Sequence, residues 1–401
     1  MKNKENDRQT TVKYSLLQIF YWAQSSAVFV FSGKYLQNAG LINGQIGIFL
    51  AFSNILTFAL SGCLAVIMDR AEKGSSRRIS IVLLLTQLGL SIAIFFLYDL
   101  FPFATATAYM MLITLMLTAG IIYNVLYSDL VLSGKNVNFS AARGLGSLSM
   151  AVSSILFGVL TERYSVCIIP FCAIVTVFAE LIVILFIGIE GNGLKAEKQT
   201  MHEKNDRLLP FLRTNHGFVL LLLGIMLIFA GNGAVNNFLY LVVENVGGGE
   251  RVLGNIQFVV AISELVMMEI YPRISSRRLS LLLQISLVFF PLKLLGISLA
   301  NSVGGLYAAN ILQALSFGLF TPALVDWVRN NISKKDSGKG QSLAGSIKHI
   351  GIFVSTLVFG FLFDGLSVKI CLLIMIVLMV IGATIGIMGI RIQLQDHRRT
   401  E

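Results

Sequence analysis

The sequence predicts an all-α membrane protein with twelve transmembrane helices in two pseudo-symmetric six-helix bundles. Three observations predict it. Twelve apolar segments fill almost all of the 401 residues. A polar stretch at 191–215 separates the sixth from the seventh. A short motif recurs at matching places in the two halves. A hydrocarbon core of about 30 Å needs about 20 helical residues to cross it, and each segment meets or nearly meets that length. Backbone polar groups find no partner in lipid, so the segments must be helices.

The first segment, 14–33, follows the polar stretch MKNKENDRQT and carries Tyr21 and Trp22. A cleaved signal peptide has a shorter apolar region, so this segment is expected to remain as a span. The second, 43–68, ends Ala65-Val66-Ile67-Met68-Asp69-Arg70 and leads into Ser76-Arg77-Arg78. The third and fourth are 79–98 and 101–127, with Asp129 just beyond. The fifth, 143–161, opens Arg143-Gly144-Leu145-Gly146-Ser147-Leu148, and the sixth, 165–189, contains Glu180. The seventh, 217–243, holds Asn232, Asn236 and Asn237, and the eighth, 253–272, holds Ser263-Glu264. Lys293 lies in the ninth, 279–299, and Gln313 and Asp326 in the tenth, 303–328. Lys348 and His349 lie in the eleventh, 342–363; the twelfth is 368–390.

Val152-Ser153-Ser154-Ile155-Leu156-Phe157-Gly158 closes the fifth span, and Val354-Ser355-Thr356-Leu357-Val358-Phe359-Gly360 closes the eleventh. The offset from 152 to 354 is 202 residues, about half the chain. The expected organisation is an N-terminus at 1–13, a bundle over 14–190, a linker over 191–215, a bundle over 216–390 and a tail over 391–401. Transporters are commonly built from such halves.

The chain is 55% hydrophobic and 13% charged, with mean hydropathy +0.78 and net charge +10. A basic balance can mean a nucleic-acid partner. The placement of the charge gives a better account. If the N-terminus starts in the cytoplasm and the spans alternate, the cytoplasmic stretches hold 24 of the 31 Lys and Arg. The outer loops and helix ends hold four, and Arg143, Lys293 and Lys348 fall inside spans. This asymmetry sets both termini inside. It fits a multi-pass protein of a bacterial cytoplasmic membrane, monomeric, with lipid and no nucleic acid around it. Cys63, Cys167, Cys172 and Cys371 show neither metal-site nor disulfide spacing. Gly247-Gly248-Gly249 is not followed by Gly-Lys-Ser/Thr, so it is no phosphate loop. No cofactor and no metal are expected.

An ionisable group in a bilayer is costly, about 2.5–3.5 kcal/mol on insertion scales, so its default reading is functional. Glu264 is the strongest candidate. It reads as a proton carrier, a solute contact or a structurally satisfied acid. Lys293 on the next span is a counter-charge for it. Lys348 and His349 are adjacent, so they cannot share one face. The histidine is a proton-coupling candidate and Lys348 a solute contact. Asn232, Asn236 and Asn237 suit hydroxyl or carbonyl groups but carry no protons, and read equally as interhelical hydrogen bonds. Glu180 reads equally as structural or as a contact.

These residues carry a resemblance to the major facilitator superfamily, in its branch of lactose-permease-like and oligosaccharide or nucleoside–proton symporters. The end of the second span is similar to the superfamily signature, a small residue, three more, Asp-Arg and a basic cluster. Here Ala65 replaces the usual Gly, and the turn Gly is displaced to Gly74. The run Arg143-Gly144-Leu145-Gly146-Ser147 resembles the branch's fifth-helix pattern. Tyr21-Trp22, Gly40-Leu41, Gln45-Ile46-Gly47, Ser263-Glu264 and Gln313-Ala314-Leu315 resemble it elsewhere. Lys293 stands where the branch usually has Arg, and Ser316 where it commonly has His. The fifth span lacks the proline of drug antiporters. The resemblance implies the major facilitator fold, coupling or binding through Glu264 and Lys293, and solute contacts at Asp129, Arg143 and Gln313; His349 as a further proton-coupling group and Asn236, Asn237 and Lys348 as further solute contacts are read from the residues alone. The signature after the second span implies a cytoplasmic gate from Asp69, Arg70, Arg77 and Arg78, and Asp326, near the same end of the tenth span, is a further gate candidate. Asp129 and Arg143 form either a gate salt bridge or a solute contact.

The expectation is therefore a secondary transporter of a small polar organic solute, saccharide- or nucleoside-like, taken up with protons. An efflux antiporter or an uncoupled facilitator is the alternative. A membrane enzyme would need catalytic residues clustered at one face, and a sensor would need a sizeable soluble domain. The sequence displays neither.

Overall fold

The structure, a computed structural model, describes residues 2–70, 74–98, 101–188, 208–275, 278–333 and 336–400. Most of the 191–215 linker and the side chains of Asp69 and Arg70 lie outside the described residues. Helices account for nearly everything described, and there is no strand among those residues.

The first span is not one rod. Helix α1 (Lys2–Ser25) passes into a π-helical turn at Ser26–Val30 and then α2 (Ser32–Asn38). Small hydroxyl residues flank the break, a common setting for helix irregularity, and Ser32 Oγ donates to the Phe29 carbonyl at 2.8 Å. Helices α3 (Asn43–Arg70), α4 (Ser75–Leu97), α5 (Pro102–Leu132), α6 (Phe139–Tyr164) and α7 (Ile169–Phe186) follow. Local chemistry starts several of them. Asn138 Oδ1 accepts from the Ala141 amide at 3.0 Å, capping α6. Pro102 and Pro170 sit in the first turns of α5 and α7, where a missing amide costs nothing. Gly74 opens α4 with φ +87°, a conformation that favours glycine.

After the short α8 (Leu208–Thr214), the seventh span comprises α9 (His216–Asn237) and α10 (Leu239–Asn245). Next come α11 (Glu250–Ile274), α12 (Leu279–Leu299) and α13 (Val303–Ile311). A second π-helical turn, Ala314–Gly318, links α13 to α14 (Leu319–Asn331) within the tenth span. Helices α15 (Ser337–Gly365) and α16 (Val368–Thr400) complete the chain. Eleven of the spans are helical stretches long and apolar enough to cross a membrane. The twelfth is the interrupted first span, whose α1 also includes polar residues from Lys2 onward.

Two compact units partition these helices. The first comprises residues 1–198 and 249–261; the second comprises 199–248 and 262–401. The beginning of α11 thus packs with the first unit. A Cβ at Gly254 would run into the Ser154 carbonyl, so only glycine lets α11 approach α6 there. Within the first unit, α1 packs on α6 and α7, and α4 packs on α5 and α7. Within the second, α9 packs on α15 and α16, and α12 packs on α14 and α16. The repeated heptapeptide therefore lies on helices with equivalent neighbours.

Glycines allow the closest approaches. A Cβ at Gly224 would lie 2.5 Å from the Gly382 carbonyl, and one at Gly389 would lie 2.5 Å from the Gly217 carbonyl. Helices α9 and α16 thus touch backbone to backbone, as small residues permit in membranes. Gly351 does the same against Met226 of α9. In the run that opens α6, Gly144 faces open space and Gly146 lies against Trp22. The arginine run presents its second glycine to α1, because residues two apart point to different sides of a helix.

Candidate functional site

In the second unit, four helices converge on a polar relay. Lys293 of α12 is 3% exposed, and its Nζ donates to Gln313 Oε1 at 2.6 Å. Gln313 Nε2 donates to Glu264 Oε1, also at 2.6 Å. Lys293 Nζ reaches Asn232 Oδ1 of α9 at 3.4 Å. The two charges expected to face each other are thus joined through an amide. Charge dictates the amide's orientation: lysine can only donate, and an ionised carboxylate can only accept. Gln313 immediately precedes the π-helical turn, and such bulges re-aim side chains at functional sites. Gly318 in that turn admits α11 closely, since a Cβ there would sit 3.2 Å from Glu264 Cα.

An aromatic wall adjoins the relay. Phe229, one turn before Asn232, packs on Phe290, Phe317 and Phe320 at centroid distances of 5.5, 6.1 and 5.4 Å. Lys348 Nζ lies 5.5 Å from the Phe229 ring, a cation–π distance. His349 is exposed, pointing away from its half-buried neighbour Lys348, as adjacent helical residues must. The asparagines separate likewise. Asn237 is buried and donates to Thr356 Oγ1 at 2.7 Å, tying α9 to α15, while Asn236 is exposed. Asn232 is the amide that enters the relay.

In the first unit, Arg143 lies over Trp22, its guanidinium carbon 4.0 Å from the ring centroid, and donates to Ser147 Oγ at 3.1 Å. The indole continues a ladder along α1. Trp22 Nε1 donates to Gln18 Oε1 at 3.2 Å, and Gln18 Nε2 donates to Tyr14 Oη at 3.1 Å. Tyr14 Oη donates to the Tyr123 carbonyl at 3.1 Å. Positions 14, 18 and 22 recur every four residues, so this polar stripe was legible in the sequence. Its purpose was not, because Gln18 and Tyr14 carry no charge that would single them out.

Asp129 does not pair with Arg143. Its Oδ2 accepts from Ser76 Oγ at the start of α4. The acid sits in the last turn of α5 and the arginine in the second turn of α6, and each finds a nearer partner. Arg77 is also engaged within its unit, donating to the Ile184 and Leu185 carbonyls at 3.1 and 2.8 Å. Lys135 Nζ donates to the Gly188 carbonyl at 2.6 Å. Two cations therefore cap the carbonyl end of α7, where the helix dipole favours positive charge. Arg78 is exposed. Asp326 accepts from Tyr271 Oη at 2.8 Å and meets Arg329 at 2.8 Å, joining α14 to the end of α11. Glu180 is buried, with Tyr123 Oη donating to its Oε2 at 2.7 Å.

Two sets of membrane helices with repeated packing, and polar side chains converging inside each, define a membrane protein of the major facilitator type. The chain belongs to the MFS_1-like family, whose model matches residues 11–373. No curated protein sequence matches it. Among solved structures, it is similar to a variant of the nucleoside transporter NupG, with TM-score 0.80 and 14% identity over 94% of this chain and 98% of that one. A bacterial homologue of the iron transporter ferroportin in its inward-facing state superposes with TM-score 0.72 and 13% identity over 95% and 98%. A bacterial homologue of the lysosomal transporter Spinster gives 0.70 and 12% over 97% and 98%. These likenesses establish the twelve-helix fold.

Proposed function

We propose that the chain is a secondary active transporter that carries a small polar organic solute, saccharide- or nucleoside-like, by alternating access and proton-coupled symport. The observation that carries this reading is the Glu264–Gln313–Lys293 relay. A carboxyl reached through a neutral amide from a buried lysine can gain and lose a proton while the amide adjusts only its bonds. Arg143 stacked on Trp22, with Ser147 and Gln18 beside them, offers planar donors and an aromatic face to hydroxyl, carbonyl or ring groups. The likeness to a nucleoside transporter supports the choice of solute class. The cation asymmetry supports termini and linker on the cytoplasmic side, and the protein is read as a monomer in the lipid bilayer.

The deciding experiment is Glu264→Gln in reconstituted vesicles. Gln imitates the protonated acid. Exchange of solute should continue, uphill accumulation driven by a proton gradient should fail, and binding should lose its pH dependence. Weakened binding at every pH would assign Glu264 to solute contact alone. Intact proton-driven accumulation would refute coupling through the relay. Solute movement in the wild type indifferent to the proton gradient would instead identify an uncoupled facilitator.

A further inference from the structure

The relay leaves unused a second embedded carboxyl, Glu180, which lies in the other unit. Its side chain has no solvent exposure. Tyr123 Oη donates to Oε2 at 2.7 Å, and Oε1 has no hydrogen-bond partner. No ion pair with a basic side chain reaches Glu180 among the described residues. Helix α1 brings Tyr21, whose ring lies edge-on to Tyr123 at 5.5 Å. Helix α5 brings Tyr123, and α6 brings Arg143, held over Trp22. On α4 the titratable groups are Arg77 and Arg78 in its first turn, with Arg77 already bonded to the end of α7. Tyr14 lies two turns before Tyr21 on α1, Tyr127 and Asp129 lie beyond Tyr123 on α5, Cys167 is in the turn before α7, and Cys172 is on α7 itself.

An ionised carboxylate offers about four acceptor sites. Here one hydroxyl would serve them all in a low-dielectric interior, leaving the charge almost uncompensated. A neutral acid meets no such penalty. We propose that Glu180 is a proton-binding site of the first unit, carrying its proton on Oε1 while Oε2 accepts from Tyr123. On release the proton passes to water, and the O–H bonding pair stays with the carboxylate. Gln24 Oε1, Ser26 Oγ and Gln87 Nε2 are also buried without partners in this unit. A metal cation is a poorer occupant. One carboxylate oxygen already faces a donor, and no group of three His, Cys, Asp or Glu gathers among the described residues.

The test uses purified full-length protein and needs no transport assay, so it stands apart from the Glu264 reading. Infrared spectra of the wild type should contain a carboxylic-acid C=O band that titrates with pH and is lost in Glu180→Gln. Tyr123→Phe should keep the band and shift it to higher frequency, because a donor to the carbonyl has been removed. Gln imitates the neutral acid, and ionisation penalises the native state more than the unfolded one. Glu180→Gln should therefore melt with the wild type in acidic buffer and above it in alkaline buffer. A spectrum identical in wild type and Glu180→Gln would overturn the proposal. So would melting curves that run parallel at all pH values, or a wild-type melting temperature raised by sodium but not by protons.

Discussion

Single side chains decide how charge is tolerated in this molecule. Lys293 is nearly inaccessible, and its shortest bond is to Gln313 at 2.6 Å. Removing one partner of a buried charge typically costs about 3–5 kcal/mol, because the remaining charge is left uncompensated. Gln313→Leu should therefore lower the melting temperature sharply. Adding Lys293→Met should recover much of that loss, a coupling that a double-mutant cycle reads directly. Additive losses would mean that Lys293 has another adequate partner. At Arg143 the relevant property is planarity. The chain has two tryptophans, and Trp327 is fully buried beside Ser280. A solute taken up by Arg143 should therefore change the emission of Trp22. Arg143→Lys keeps the charge but loses the stacked fork, so solute affinity should fall about tenfold, and the emission change should vanish in Trp22→Phe. An undiminished response in Trp22→Phe would move the solute away from this face. These roles were only partly legible in the sequence. Glu264 and Lys293 stand out because charge is scarce in apolar spans. The bridging role of Gln313 depends on where a π-helical turn aims it, and no periodicity encodes that.

At the scale of helices, length and hydropathy located the spans because lipid enforces both. The ninth span was expected at 279–299, and α12 occupies Leu279–Leu299. The interrupted helices were not foreseen. The first and tenth spans read as uniformly apolar, yet each contains a π-helical turn. Such turns depend on one extra residue accommodated by packing, which leaves the hydropathy pattern intact. Glycine seams were visible as composition, but their geometry was not: Gly144 faces open space while Gly146 lies against Trp22. The α9–α16 seam makes a firm prediction. Gly224→Ala puts a methyl group where 2.5 Å separates it from the Gly382 carbonyl. Overpacking of this kind costs about 1–3 kcal/mol, so the melting temperature should drop. Gly345 in α15 has nothing within 4 Å of its Cβ position. Gly345→Ala should be neutral or slightly stabilising, since alanine is favoured over glycine in a helix by about 1 kcal/mol. Equal effects of the two substitutions would mean that α9 and α16 do not meet as closely as described.

For the molecule as a whole, the fold was legible because two independent signals agree. The apolar segments number twelve, and the heptapeptide on the fifth and eleventh spans reappears on helices with equivalent neighbours, α1 for α6 and α9 for α15. Orientation in the membrane is a separate matter, since hydropathy is blind to direction and the cation count carries that argument alone. Arg77 and Lys135 add a physical reason for their side. Both hold the carbonyl end of α7, so the basic residues at that end are integral to the helix termini. Translocating lysines and arginines is unfavourable, so the 24 cations should stay in the cytoplasm and the four in outer loops and helix ends should cross. In a background lacking Cys63, Cys167, Cys172 and Cys371, Gly248→Cys should react with a membrane-impermeant maleimide added to intact cells. Thr200→Cys should react only after the membrane is permeabilised. Labelling of position 200 from outside would invert the orientation. The end of the first unit that carries Arg77 and Lys135 would then be external.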